Sequence, residues 1–160
     1  MKIGEMVKDS GQTMVETAFA ISVLLTLMMA TVDFGWLLSN KLTLQNAVRQ
    51  AGRYAITGQC IESNGSCSET RYNSILTTLE NYSLGRINSA NVGSVVSFTC
   101  TDQGGGCPSG AGGPGDVITI KVSYPYQFIT PAIAACFPSH TYTITVSASF
   151  TNEPFPPSQD

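Results

Sequence analysis

The charged side chain in the most unusual setting is Glu16, which lies in an apolar run near the start of the chain, five residues after Gly11. If a peptidase cut between Gly11 and Gln12, the new amine of Gln12 would be positive and four residues from Glu16. Residues four apart are neighbours on a helix, so the amine and the carboxylate would pair. That pairing would offset part of the free energy needed to hold a carboxylate among apolar residues. The sequence therefore predicts a removable leader, residues 1–11.

Cysteine chemistry is the second candidate. Five cysteines follow the apolar run: Cys60, Cys67, Cys100, Cys107 and Cys136. The first two and the next two each enclose six residues rich in turn formers, which favours two local disulfides, on proximity along the chain alone. The fifth, Cys136, would be unpaired or would bridge two subunits. Such disulfides persist in the periplasm or outside the cell. Zinc is disfavoured because the chain has no C-x₂-C motif and a single histidine, so we expect no metal.

The apolar run around Glu16 is long enough to cross a bilayer. Between Glu16 and Asp33 lie uncharged residues, 17–32, which span about 24 Å as a helix, and flanking apolar residues extend them toward the roughly 30 Å of a hydrocarbon core. We predict a transmembrane helix over residues 12–38, with Asp33 and Trp36 at the membrane interface. A secretory signal is disfavoured because its apolar core has only about 7–15 residues. An uncleaved anchor stays open because its hydropathy would be the same.

Beyond the span, the spacing of apolar residues predicts two helices. The first helix continues through residues 39–58 and stops at Gly58, because its apolar residues follow the 3,4 spacing of one helical face. These residues are Leu44, Ala47, Val48, Ala51, Tyr54 and Ala55. A second helix is predicted over residues 68–84, with Ser66 and Glu69 as a capping box and an aromatic and aliphatic stripe that includes Tyr82.

Three β-rich runs follow, at residues 92–100, 117–126 and 142–150, and the last two alternate between apolar and polar residues. Alternation predicts one face against a core and one toward solvent or a neighbour. We therefore predict an α+β fold, with a sheet of three to four antiparallel strands packed on the two helices. The predicted head is residues 59–152, followed by a Pro-rich tail, 153–160.

The residues from Gly11 to Ala55 resemble the TadE-like family of minor pilins or pseudopilins from tight-adherence pilus systems. The resemblance rests on a Gly-x₄-Glu pattern before an apolar helix, an acidic-Phe-Gly sequence, a Leu-Gln-Asn-Ala run and an Arg-Tyr-Ala end. Here these are Gly11 with Glu16, Asp33-Phe34-Gly35, Leu44-Gln45-Asn46-Ala47 and Gly52-Arg53-Tyr54-Ala55. Two departures are a weakly basic leader and Gly52 in place of an alanine.

The resemblance implies a pathway and a location. A prepilin peptidase would cleave after Gly11, and Glu16 would pair with the amine of Gln12 during assembly. The protein would lie in membrane lipid as a single-pass protein of the bacterial inner membrane, with its N-terminus cytoplasmic and its head periplasmic. Its partners would be other pilin and pseudopilin subunits and the inner-membrane assembly platform, and it would be extracellular once in a pilus. The alternative is a permanently anchored periplasmic binding or adhesion module that keeps its leader.

Other classes of function are disfavoured. A net charge of −3, with 12% charged residues and no basic cluster, disfavours nucleic-acid binding. The Gly-rich stretch 102–116 lacks the Lys-Ser/Thr of a phosphate-binding loop. Asp33-Phe34-Gly35 lacks the other kinase motifs, and nothing in the sequence identifies a nucleophile positioned to act with His140. We expect a non-enzyme without catalytic residues or cofactors.

Overall fold

The structure, a computed structural model, describes residues 3–60, 62–63, 66–67, 70–101 and 111–154. The helices are α1 (Ile3–Ile56), α2 (Arg71–Tyr82), α3 (Val92–Val95) and α4 (Pro131–Ala134), with a 3-10 turn at Pro138–His140. The strands are β1 (Glu62–Ser63), β2 (Ser66–Cys67), β3 (Val96–Thr101), β4 (Val117–Gln127) and β5 (Thr141–Thr151).

The chain divides into two compact units. The span unit contains the first part of α1, up to Leu38, together with Gln127–Thr141. The head unit contains Ser39–Tyr126 and the chain from Tyr142 onward. The span unit thus includes a segment, Gln127–Thr141, that the sequence analysis assigns to the head.

In the span unit, α1 exposes apolar side chains on all sides. Its most apolar stretch has a mean hydropathy of 1.9, and none of that stretch is buried within the protein. The few hydroxyl groups there bond to carbonyl oxygens one turn back, as Ser22 Oγ does to Ala18 O at 2.8 Å and Thr26 Oγ1 to Ser22 O at 2.8 Å. Because these hydroxyl groups are satisfied within the helix, the stretch that carries them suits hydrocarbon. It fits a single-pass membrane protein.

In the head unit, the last turns of α1 form the centre of the core. The predicted apolar face is confirmed: Leu44, Ala47, Val48, Ala51 and Ala55 are fully buried. The helix ends at Ile56, and Gly58 follows with a φ of +64° while its N–H bonds to Ala55 O. A left-handed residue at this position is the usual stop signal, so Gly58 ends the helix as predicted, although the last helical residue is Ile56 and not residue 58.

The second helix is present but begins later than predicted. Its N-cap is Thr70, whose Oγ1 accepts a hydrogen bond from Asn73 N at 3.4 Å. The predicted capping box is therefore wrong, since Ser66 belongs to β2, and Glu69 lies outside the described residues. Ile75 and Leu79 are buried as expected. Tyr82 is 47% exposed, so its assignment to the buried stripe is wrong.

The large sheet is three-stranded and antiparallel, in the order β3-β4-β5, which confirms the predicted α+β class. Val96 pairs with Val122 and Thr101 with Val117. The inward positions of β4 and β5 are the ones that alternation predicts, namely Ile118, Ile120, Val122, Ile144 and Val146. The predicted first strand is wrong in its start, because Val92–Val95 forms a helical turn instead.

Candidate functional site

The Glu16 carboxylate lies on α1 in the span unit and is exposed. Exposed apolar side chains flank it, with Met14 at 76% and Phe19 at 73% exposure. Among the described residues, no hydrogen bond or ion pair to Glu16 is present. The structure thus places a carboxylate without an internal partner on an apolar helix surface, which is a setting where an external cation would bind it favourably.

Gly11 lies in the same helix, one residue before Gln12. A Cβ atom added at Gly11 would meet no other atom within 4 Å, so packing within the chain does not require a glycine there. The backbone of Gly11 is helical, which any residue can adopt. Since neither packing nor conformation explains Gly11, recognition by another protein remains a reason for a glycine at this position.

Asp33 holds a distant part of the chain against α1. Its side chain is 1% exposed, Oδ1 accepts a hydrogen bond from Ile129 N at 3.0 Å, and Oδ2 accepts one from Thr130 N at 3.0 Å. Thr130 is the N-cap of α4, and Pro131 occupies the first helical position. The sequence predicts Asp33 at the membrane interface and does not reveal this contact. Trp36, assigned there with it, is exposed on the same helix.

The segment that Asp33 holds is compact. Phe128 and Phe137 stack with ring centroids 4.5 Å apart. His140 Nδ1 lies 3.1 Å from Ala134 O, and the thiol of Cys136 donates to Ala132 O at 3.6 Å. Cys136 is a free, exposed cysteine.

The other cysteines lie in the head unit. Cys60 and Cys100 each take part in a disulfide bond. The side chains of Cys67 and Cys107 lie outside the described residues. The pairs Cys60–Cys67 and Cys100–Cys107 therefore stay predictions.

A buried arginine anchors the end of α1 in the head unit. The guanidinium of Arg71 donates to Ala55 O, Ala111 O and Gly112 O, and the residue is 1% exposed. Asn152 Nδ2 donates to Ala111 O at 3.2 Å and to Gly113 O at 2.9 Å. Sequence reasoning missed Arg71, because a single arginine at the start of an amphipathic helix usually faces water.

The neighbouring strand explains the glycine that departs from the family pattern. A Cβ atom at Gly52 would lie 2.1 Å from the Phe150 ring of β5, which is impossible without movement. The glycine lets the aromatic ring lie directly on the helix backbone.

In the part of the chain that the structure describes, no group of three or more His, Cys, Asp or Glu side chains is placed to hold a metal ion. Among described residues the polar features instead fall into two kinds. Glu16 is exposed without an internal partner, whereas Asp33 and Arg71 are buried and bound to backbone groups. Asp33 and Arg71 therefore act as anchors, whereas a binding role for Glu16 stays a prediction.

Comparison with known proteins gives one finding. Residues 11–53 match the family model described as TadE-like protein. The matched segment starts at Gly11, contains Glu16 and Asp33, and ends at Arg53 in the last turn of α1. No curated protein and no solved structure matches the chain.

Proposed function

Since residues 11–53 carry the TadE-like signature, which indicates a protein associated with a tight-adherence pilus, we propose that this chain is a minor pilin or pseudopilin. It would act as a structural subunit or an assembly factor of a surface filament used in adhesion. The observation that carries the proposal is the exposed Glu16 carboxylate on an apolar helix, for which the described residues provide no partner.

The proposed mechanism starts with removal of residues 1–11 by a prepilin peptidase. The new amine of Gln12 then lies one helical turn from Glu16 and pairs with it, in the same subunit or in a neighbour. In hydrocarbon, a carboxylate is stable only with such a partner, so the ion pair would fix the axial position of one apolar helix against the next. The exposed apolar side chains around Glu16 supply the packing surface.

The second candidate is a permanently anchored periplasmic binding or adhesion module. It shares the membrane helix, the disulfide-bonded cysteines and the sheet. It differs in keeping residues 1–11 and in having no need for Glu16.

The first experiment is the N-terminal mass of the protein purified from membranes of its native host. We expect a chain that starts at Gln12. The variant Gly11→Val should retain Met1, because the residue before the cleavage site is changed. Gly35→Val is a matched control, since both glycines lie in α1 with open space around Cβ, and it should be cleaved normally. A wild-type chain that starts at Met1, in cells with an active prepilin peptidase, would favour the anchored module.

The second experiment tests Glu16 itself. Glu16→Gln and Glu16→Ala should both leave the protein in the membrane fraction and abolish or strongly reduce the pili recovered by shearing. Ser22→Ala removes another polar group from the same apolar helix, and it should yield as many sheared pili as the wild type. Normal piliation in Glu16→Ala would overturn the proposed role of the carboxylate.

A further inference from the structure

One segment of the span unit has the composition of a membrane surface element. Residues 127–141 contain no Asp, Glu, Lys or Arg. Ile129 is 63% exposed, and the exposed positions near it include Pro131, Ala132 and Ala135. We refer to residues 128–138 as the interfacial segment. An uncharged apolar surface on a loop is unusual, because loops normally meet water with polar side chains.

The backbone of the interfacial segment also suits a setting poor in water. Two of its eleven residues are prolines, which have no N–H group, and nine others carry one. Of these nine, two donate to Asp33 and five donate to carbonyl oxygens of the same loop, so seven are satisfied. The five are those of residues 133–137. Backbone groups that leave water need such partners, whereas those of a solvated loop do not.

Asp33, which binds the interfacial segment, would set the depth of that segment in the bilayer. Asp33 follows directly after the uncharged stretch 17–32 of α1, and it binds Ile129 and Thr130 through their backbone. That stretch spans about 24 Å, so a helix that crosses the bilayer would hold Asp33 near the boundary between acyl chains and head groups. The interfacial segment would be held at the same level.

From these observations we propose that the interfacial segment contacts the lipid bilayer directly, with Ile129 inserted at the boundary between head groups and acyl chains. The inference rests on the membrane-spanning role of α1. Lipid is favoured over a second protein because the segment is continuous with the lipid-facing surface of the span and offers no charge to a protein partner. In this view the membrane holds the protein at two places, the helix and the segment.

The native thiol of Cys136 gives a direct test, because it is free, exposed and part of the segment. The full chain is labelled at Cys136 with a nitrobenzoxadiazole fluorophore, the labelled peptide is verified by mass, and the protein is reconstituted in vesicles of phosphatidylethanolamine and phosphatidylglycerol. Phosphatidylcholine with a nitroxide near the top of its acyl chain should remove most of the fluorescence. Aqueous iodide should have little effect.

Two matched probes serve as controls in a Cys136→Ser background. A probe at Ser89→Cys, in an exposed polar turn of the head unit, should be quenched by iodide and not by the lipid nitroxide. A probe at Ser22→Cys in the span should be protected from iodide. If Ser22→Cys were quenched by iodide, the membrane span and the proposed function would both fail.

The inference fails alone if the span probe is protected while the Cys136 probe is quenched by iodide, since the segment would then lie in water. Protection of Cys136 from both quenchers would also overturn it and would indicate a protein contact. A substitution sharpens the result. Ile129→Asp should make the Cys136 probe accessible to iodide, whereas Leu84→Asp, at a position that is 74% exposed in the head unit, should not.

Discussion

Leucine side chains in the two halves of α1 have opposite environments. Leu24, in the span unit, is 57% exposed, whereas Leu44, in the head unit, is fully buried. Around Leu24 apolar residues surround the helix, while around Leu44 they occupy one face and polar residues the other. The comparison teaches that hydropathy alone does not identify a core helix. A helix that is apolar all round needs lipid or other helices, and one with a single apolar face needs its own domain.

The largest effect on stability is expected at Arg71, which binds the end of α1 in the head unit. Arg71→Ala should lower the free energy of unfolding of the head by about 3 kcal/mol or more, because each hydrogen bond to a charged group contributes about 1.5–3 kcal/mol. Urea unfolding of the full chain in detergent micelles, followed by tyrosine fluorescence, measures this change. The exposed Arg49→Ala is the control and should change the value by no more than about 0.5 kcal/mol. Equal free energies of unfolding for the two variants would show that Arg71 does not anchor the end of α1.

A matched pair of leucines tests the comparison directly. Leu44→Ala should destabilise the head by about 2–5 kcal/mol through the cavity that it leaves. Leu24→Ala should leave the unfolding of the head unchanged within about 0.5 kcal/mol, because its side chain has no contact to lose there. Thermal unfolding of both variants in the same detergent gives the answer. Destabilisation by Leu24→Ala as large as that of Leu44→Ala would contradict the division between the two ends.

A further test concerns the close contact between Gly52 of α1 and Phe150 of β5. Gly52→Ala should destabilise the head by about 1–3 kcal/mol, since the new methyl group would overlap the Phe150 ring. The double variant with Phe150→Leu should recover part of the loss. Gly35→Ala, at a position of the span unit with open space, is the control and should have no such effect. A stable Gly52→Ala protein would mean that the ring moves away freely.

The most local effect is expected for Asp33, the anchor of the span unit, because it concerns two amides and not the stability of the head. Asp33→Ala should leave the head intact and lower the protection of the Ile129 and Thr130 amides from hydrogen exchange, because their acceptor is lost. A loss of about 1–3 kcal/mol in local opening free energy corresponds to an unsatisfied buried group. Glu16→Ala should leave both amides unchanged. Unchanged protection in Asp33→Ala would show that the loop holds its place without the carboxylate.

Sequence periodicity predicted the elements that repeat and missed features that are fixed by individual hydrogen bonds or contacts, whether local or distant. The face of α1 around Ala47 and the alternation in β4 and β5 follow from spacing alone, because burial of one face imposes a period. The start of β3 was not predictable from spacing, because Val92–Val95 is apolar enough to resemble a strand. Local hydrogen bonds to the carbonyl oxygens of Asn88 and Asn91 make it a helical turn instead.

The candidate site shows the same division. Glu16 is conspicuous in the sequence as a charge inside an apolar run, and its role in assembly stays a prediction. The partners of Asp33 are 96 and 97 residues away, and nothing local in the sequence marks Ile129 or Thr130 as donors. Likewise, the reason for Gly52 lies in the Phe150 side chain of a distant strand, so a departure from the family pattern became intelligible only in three dimensions.

The contact between Asp33 and the loop has an evolutionary consequence. Both donors are main-chain N–H groups, so the contact prescribes no side chain at positions 129 and 130. Loop sequences can therefore drift while the carboxylate stays fixed, and lineages could adapt this surface to different membranes or neighbours without losing its attachment. A proline at either position is the one replacement that would remove a donor outright. Selection should thus act strongly on Asp33, whereas at positions 129 and 130 the contact itself excludes only proline.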